Sequence, residues 1–358
     1  MEISMDSFVY SLNATIPIFL VMVLGGVIKK LGVIDDNFAK KANKYVFNVA
    51  LPVMLFKDIA SADMTSQFDL KFVLYCMLVT IFMFSAIWVL TEIFMKDDTM
   101  KGSFVQGSCR SSAAILGMAF IQNMYSDTGM APLMIVAAVP FFNIISVIVL
   151  TFKAHPEKNE QYIGEKSIVN MHGAVNENIS LVKDDMGDKS VIKNKNNSDK
   201  MKNIKKACIN ILKNPIIIGI FLGLPFSLLH VTFPIFVQKT INSIAQTATP
   251  VALIVIGASF EGRKAIKKIK PTIIATFIKL IGLGAVFMPL AVWLGFRCQE
   301  LMAILIMLAS PTTVSSYIMA ENMDNDGVLA SSIIVLTTVL SSVTLTAWIF
   351  ILRYFGWV

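Results

Sequence analysis

The sequence predicts an all-α polytopic membrane protein, and three observations support this fold class. Of the 358 residues, 55% are hydrophobic and only 15% are charged, and the mean hydropathy is +0.68. Soluble domains are about 45–50% apolar and about 25% charged, so a water-soluble fold could not hide this much apolar surface. The apolar residues also form runs long enough to cross a hydrocarbon layer about 30 Å thick, which takes about 20 helical residues.

Ten apolar runs are the predicted transmembrane helices, numbered here as spans one to ten. In chain order they cover residues 8–28, 43–61, 72–94, 104–124, 129–152, 214–230, 235–260, 272–294, 301–320 and 327–352. Spans two, four, seven and nine are interrupted by Pro, Ser, Thr, Gly or a charged residue. Such interruptions are typical of helices that line a binding site in the membrane.

A polar segment, residues 154–213, separates spans five and six. It is rich in Asn, Lys, Asp and Glu and shows no clear period, which predicts a largely disordered loop. Two interpretations of this loop remain, a solvated linker and a regulatory surface. The chain therefore divides into a first five-helix unit at 1–153, the loop, and a second five-helix unit at 214–358.

Basic residues in the short loops predict the orientation. Twelve Lys and Arg residues fall on the side that carries Lys29 and Lys40, and three fall on the side that carries Lys71 and Arg297. Cytoplasmic loops carry the excess of basic residues. The first side is therefore predicted to face the cytoplasm together with the long loop, with both termini outside a plasma membrane.

The two halves share identities at a nearly constant offset. Matches at 198 or 199 positions include Pro17 with Pro215, Gly25 with Gly223, Pro52 with Pro250, and Asp127 with Asp326. Because each half has five spans, the second must enter the membrane from the opposite face. The sequence thus predicts two inverted five-helix repeats, an architecture common in secondary transporters.

Spans four and nine occupy corresponding positions in the two predicted repeats, and both are interrupted. Residues 107–114 and 309–317 are rich in Ser, Thr and Gly, and Pro311 disfavours helix at Ser310. If both spans are broken and cross near the middle of the membrane, their half-helix N-termini would face an anion. The alternative is an ordinary proline kink with Ser and Thr in helix packing.

Arg110 is the candidate cationic contact, because a guanidinium can hold a carboxylate with two hydrogen bonds. Its alternatives are an internal partner or a side chain that reaches the cytoplasmic surface. Asn143 is a candidate cavity amide or a packing hydrogen bond. The predicted substrate-binding set is Arg110, Ser111, Ser112, Asn143, Pro311, Thr312, Thr313, Ser315 and Ser316.

Three further ionisable residues within the spans are candidate accessory charges. Lys57 and Asp58 are most simply a pair near the outer surface, and Lys279 is either a cavity cation or a side chain that reaches the interface. The four cysteines and three histidines are scattered, so no metal site is predicted. No nucleotide-binding loop or hydrolase motif occurs, so the sequence predicts neither an enzyme nor a nucleic-acid-binding protein.

Four segments resemble the auxin efflux carrier family, which includes bacterial permeases and plant PIN-type exporters. They are residues 47–52 (FNVALP), 213–215 (KNP), 248–259 (ATPVALIVIGAS) and 310–314 (SPTTV). The resemblance implies ten spans in two inverted groups of five, with spans four and nine broken and crossing at the centre. It also implies a scaffold of spans one, two, six and seven, and site roles for Arg110, Asn143 and Pro311.

The expected function is secondary active transport of a small organic anion, such as a dicarboxylate or an auxin-like weak acid, by alternating access. The alternative is a gated channel or a ligand-binding membrane receptor without coupled transport. No cofactor is expected, and the coupling ion, H⁺ or Na⁺, is left open. The expected partners are the organic anion and the lipid bilayer, with a homo-oligomer left open.

Overall fold

The computed structural model of the chain describes residues 2–61, 69–113, 121, 130–155, 208–229, 231 and 233–358. All regular secondary structure in these ranges is helical, which confirms the all-α prediction for the part described. Five helices there are long and apolar enough to cross a membrane: Leu70–Phe94, Ala131–Phe152, Ile235–Ser259, Ile269–Trp293 and Gly327–Tyr354.

The described part of the first half contains six α-helices. They are α1 (Glu2–Lys30), α2 (Asp36–Tyr45), α3 (Leu51–Ala60), α4 (Leu70–Phe94), α5 (Asp98–Cys109) and α6 (Ala131–Phe152). A π-helical segment, π1 (Val46–Ala50), joins α2 to α3 without a break. Aspartates cap three of these helices: Asp35, Asp69 and Asp97 each accept a hydrogen bond from a backbone N–H of the first turn, which fixes where the helix begins.

The described residues of the second half form eight α-helices. They are α7 (Pro215–Leu228), α8 (Ile235–Ser259), α9 (Gly262–Lys267), α10 (Ile269–Phe277), α11 (Leu283–Trp293), α12 (Cys298–Ala309), α13 (Ser315–Asn322) and α14 (Gly327–Tyr354). A second π-helical segment, π2 (Ile278–Gly282), joins α10 to α11. The single run predicted at 301–320 is two helices, α12 and α13, because residues 310–314 are not helical.

The ten-helix inverted repeat stays a prediction. Residues 114–120 and 122–129, which would complete span four, lie outside the described residues, as does most of the predicted loop at 154–213. The domain boundaries and the sidedness of the termini likewise stay predictions.

Glycines bring two pairs of helices close together. A Cβ atom at Gly257 of α8 would overlap the carbonyl oxygen of Met22 in α1, and one at Gly219 of α7 would lie 2.5 Å from the carbonyl oxygen of Pro52 in α3. Small residues let helix backbones approach in membrane proteins. Helices α1, α3, α7 and α8, which also contact one another through α3 and α8, therefore form one closely packed group. These are the spans that the resemblance implies as the scaffold.

The interrupted segments lie at the centre of the protein. Residues 101–113 are all buried, and so are residues 301–320 except Thr313, which is half-buried. A helix buried on every side is surrounded by protein rather than by lipid or water. The polar residues of these two segments must therefore find their partners inside the bundle.

Candidate functional site

The two interruptions contact each other directly. Helix α5 ends at Cys109, and residues 110–112 are not helical, so both segments leave backbone groups without helical partners. Hydrogen bonds join them: the Ser112 N–H donates to the Pro311 carbonyl (2.9 Å), the Thr312 hydroxyl donates to the Gly107 carbonyl (2.6 Å), and the Ser111 and Ser310 hydroxyl oxygens lie 2.5 Å apart. Each interruption thus satisfies polar groups of the other.

Arg110 lies at the end of α5 and is only 3% exposed. Its Nη2 atom donates to the Asn143 side-chain carbonyl and to the Ser315 hydroxyl, both at 2.8 Å. Its Nη1 atom contacts the Met319 sulfur at 2.5 Å, and a thioether is a weak acceptor. Its Nε atom has no hydrogen-bond partner in the described part of the chain. These contacts hold the guanidinium in place with neutral acceptors only.

A small cavity surrounds this guanidinium. Its volume is about 40 Å³, enough for only a few water molecules. Six residues of the predicted set line it: Arg110, Ser111, Ser112, Asn143, Thr313 and Ser315. Substrate pockets usually measure about 300–1,000 Å³, so this cavity is contracted.

Three residues of the predicted set do not line the cavity, although they neighbour residues that do. Pro311 and Thr312 instead form the hydrogen bonds between the two interruptions. The Ser316 carbonyl accepts a hydrogen bond from the Gln106 side chain at 2.8 Å. These residues hold the two segments together, and their direct contact with a substrate stays a prediction.

The remaining wall of the cavity is mostly apolar and was missed by the sequence analysis. It consists of Leu51, Met54, Leu55, Val139, Phe142 and Ile216. Residues 51, 54, 55 and 58 of α3, and 139, 142 and 143 of α6, follow the spacing of one helix face. The apolar neighbours could have been found in the sequence as the residues that share a helix face with Asp58 or with Asn143.

The predicted accessory charges separate into three different environments. Asp58 lines the cavity that also contains Arg110, and it forms no ion pair with any described residue. Lys57, its neighbour in sequence, is half-buried and does not line the cavity. Lys279 is fully buried on π2 and contacts α12 instead. The cavity therefore contains one fixed cation and one carboxylate.

The N-terminus of α13 adds to the positive character of the cavity. This helix begins at Ser315, whose hydroxyl lines the cavity and contacts Arg110. The aligned peptide dipoles of a helix give its amino end a partial positive charge, although here the Ser316 and Tyr317 N–H groups already donate to the Thr313 and Val314 carbonyls. An anion in the cavity would therefore face both a guanidinium and a helix N-terminus.

A second, larger cavity, here called the vestibule, measures about 500 Å³. Its charged lining residues are Lys29, Asp36, Lys40, Lys41, Lys44, Glu261 and Glu321. It therefore opens on the side that the basic loops predict to be cytoplasmic. Helix α13 borders both cavities, since Ser315 lines the first and Tyr317 lines the second.

Regular structure in the described residues is helical, and five of these helices are long and apolar enough to cross a membrane, as in a multi-pass membrane protein. The sequence model of one family, described as membrane transport protein, matches residues 10–349. The chain therefore belongs to this family, the auxin efflux carrier or membrane transport protein family, and is a membrane transporter. No curated protein matches the chain by sequence.

Proposed function

We propose that this transporter moves a small organic anion, a carboxylate, by secondary active transport with alternating access. The observation that carries the proposal is the state of Arg110. A buried cation costs several kcal/mol unless it is paired, yet every described contact of this guanidinium is to a neutral group. Asp58 lines the same cavity but is not among these contacts, so a bound carboxylate would supply the negative charge that directly meets the guanidinium.

The contacts of Arg110 also define where the carboxylate would bind. The Nε–H group has no partner among the described residues and Nη1 faces only a thioether, and each of these nitrogens shares an edge of the guanidinium with Nη2. A carboxylate bound to either edge would take over one of the Nη2 hydrogen bonds now made to Asn143 and Ser315. Two adjacent N–H groups match the two oxygens of a carboxylate. Leu51, Leu55 and Phe142 of the apolar wall would contact the organic part of the molecule.

The sizes of the two cavities support a conformational change during transport. The cavity at Arg110 is too small for an organic anion, whereas the vestibule on the predicted cytoplasmic side is about 500 Å³. Helix α13 lies between them, so its movement relative to α3 would open the site to one side. The structure would then represent a state with an open vestibule and a contracted anion site.

The test is uptake by protein reconstituted into liposomes, with a radiolabelled C4 dicarboxylate and a labelled aromatic monocarboxylate as the two probes. Wild-type protein should accumulate at least one probe against its gradient with saturable kinetics. Arg110→Gln should reduce uptake by about 10- to 100-fold, because a charge-assisted hydrogen bond contributes about 1.5–3 kcal/mol. Arg110→Lys keeps the charge but cannot form two parallel hydrogen bonds, so its uptake should lie between that of the wild type and that of Arg110→Gln.

Arg263→Gln is the matched control, because it makes the same chemical change at an exposed residue outside both cavities. Its uptake should equal that of the wild type. Unchanged kinetics of Arg110→Gln would remove Arg110 from the substrate site. Flux that never saturates and only equilibrates the probe would indicate a gated channel, and binding without flux would indicate a receptor.

A further inference from the structure

Lys279 is a second buried basic side chain, and it lies outside the anion cavity. Its side chain is 0% exposed, which places it among the largest fully buried side chains of the described residues. Its Nζ atom donates a hydrogen bond to the carbonyl oxygen of Leu308 at 2.6 Å. A buried ammonium is unfavourable unless its surroundings carry negative charge, so the source of that charge must lie nearby.

The carboxyl ends of the two interrupted helices provide it. Helix α12 ends at Ala309, so the Leu308 carbonyl belongs to its last turn, where carbonyl groups lack helical partners. Helix α5 ends at Cys109, and π2 packs against both α5 and α12. Each helix end carries a partial negative charge of about half an electron.

The π-helical segment is part of this arrangement. A π-helical turn contains an extra residue, which changes the direction of the side chains that follow, and such turns are frequent at functional sites. Within π2, the Leu280 carbonyl accepts a hydrogen bond from the Trp348 indole N–H at 3.0 Å. The altered helix is therefore held by α14 on one side while Lys279 points to α12 on the other.

Transporters with broken helices often bind a coupling Na⁺ at the same kind of place, where helix carboxyl ends and unwound carbonyl groups meet. We propose that the Lys279 ammonium takes the place of a metal cation where π2 packs against the carboxyl end of α12 and against α5, so that transport does not require Na⁺. The part concerning transport rests on the proposed function. The part concerning the ammonium does not, because it predicts cation binding in a variant.

The first experiment measures thermal unfolding of purified Lys279→Ala at equal ionic strength in chloride salts of Na⁺ or of N-methylglucamine. Removing the ammonium should lower the apparent Tm by about 5 °C in the bulky cation. Na⁺ should restore part of this loss, and so should n-butylammonium, which fits the space left by the side chain. The neutral analogue n-butanol should have no effect, and wild-type protein should show the same Tm in both salts.

Lys279→Arg and Lys279→Met provide the matched comparison, since the first keeps the charge and the second keeps the length. The arginine variant should need no added cation, whereas the methionine variant should be destabilised. A Lys279→Met variant as stable as the wild type would overturn the proposal. The proposal would also be overturned if neither Na⁺ nor n-butylammonium raised the Tm of Lys279→Ala. If Lys279→Ala does not fold, the arginine and methionine variants decide the same question.

The second experiment measures carboxylate uptake by wild-type protein in liposomes with Na⁺ replaced by N-methylglucamine on both sides. Uptake should change less than twofold, and a strict Na⁺ requirement would overturn the proposal. The two proposals can fail separately. If cations restore the Tm of Lys279→Ala but the protein takes up no carboxylate, only the anion proposal is contradicted. If uptake requires both Na⁺ and Arg110, only the proposal about Lys279 is contradicted.

Discussion

Replacing Gly219 with alanine tests whether the close packing of α3 on α7 supports the wall of the anion cavity. A Cβ atom at this position would lie 2.5 Å from the Pro52 carbonyl oxygen and 3.0 Å from the Pro52 carbonyl carbon and Cα. All three are backbone atoms, so no side-chain rotation can relieve the overlap. The helices would have to separate by roughly 0.9 Å to reach the 3.4 Å at which ordinary contact begins.

The expected cost follows from two opposing effects. Overpacking of this kind destabilises proteins by about 1–3 kcal/mol. Alanine favours helix over glycine by about 0.5–1 kcal/mol, which offsets part of that cost. A net loss of about 1–2 kcal/mol corresponds to a decrease of about 2–6 °C in the apparent Tm. Because α3 carries Leu51, Leu55 and Asp58, the same shift should also weaken carboxylate uptake.

The assay is thermal unfolding in detergent, with two other glycines as controls. A Cβ atom at Gly282 would meet its nearest atom at 3.7 Å, so Gly282→Ala should be neutral or slightly stabilising. One at Gly26 would lie 3.3 Å from the Gly257 carbonyl oxygen, so that variant should fall between the other two. The reasoning is refuted if Gly219→Ala unfolds at the same temperature as Gly282→Ala or above it.

Two further substitutions test contacts around the site. Asn143→Asp would place a carboxylate 2.8 Å from Nη2 of Arg110 and neutralise the charge of the guanidinium. The half-saturation concentration for carboxylate uptake should therefore rise at least about tenfold. An unchanged half-saturation concentration would contradict the assigned role of Arg110. Glu92→Gln weakens contacts with Lys101, at 2.9 Å, and with Lys153, so the protein should lose about 0.5–1 kcal/mol of stability. This loss should shrink in high salt, because the Glu92 side chain is 36% exposed and salt screens charges that reach water, and a salt-independent loss would rule out the electrostatic explanation.

Several helices could be located from the sequence because local physics determines them. The predicted run at 327–352 lies within α14, and α14 begins where the Asp326 side chain accepts a hydrogen bond from the Leu329 N–H at 2.9 Å. Pro311 likewise predicts where helix cannot continue, since it has no N–H and restricts Ser310 to extended backbone. Ser310 has φ −73° and ψ 159°, as this restriction requires.

The position of Asp58 could not be predicted in the same way. Asp58 and Lys57 are adjacent, and only Asp58 lines the cavity. Which of them faces inward depends on the phase of α3, and π1 shifts that phase by inserting a residue into the turn. The sequence of residues 46–50 carries no local signal for a π-helical turn. The π-helical turn occurs instead where this segment packs against α7 and α8.

Composition and local sequence account for the chemical nature of this protein: a chain too apolar for water, helices where apolar runs are long, and interruptions where proline and hydroxyl residues remove helical hydrogen bonds. The contacts of the buried basic side chains, in contrast, come from the packing of distant segments. Arg110 meets Ser315 and Lys279 meets Leu308 across separations of 205 and 29 positions. The reason is physical, because burying a charge in the membrane interior requires partners, and those partners come from whichever helices pack beside it.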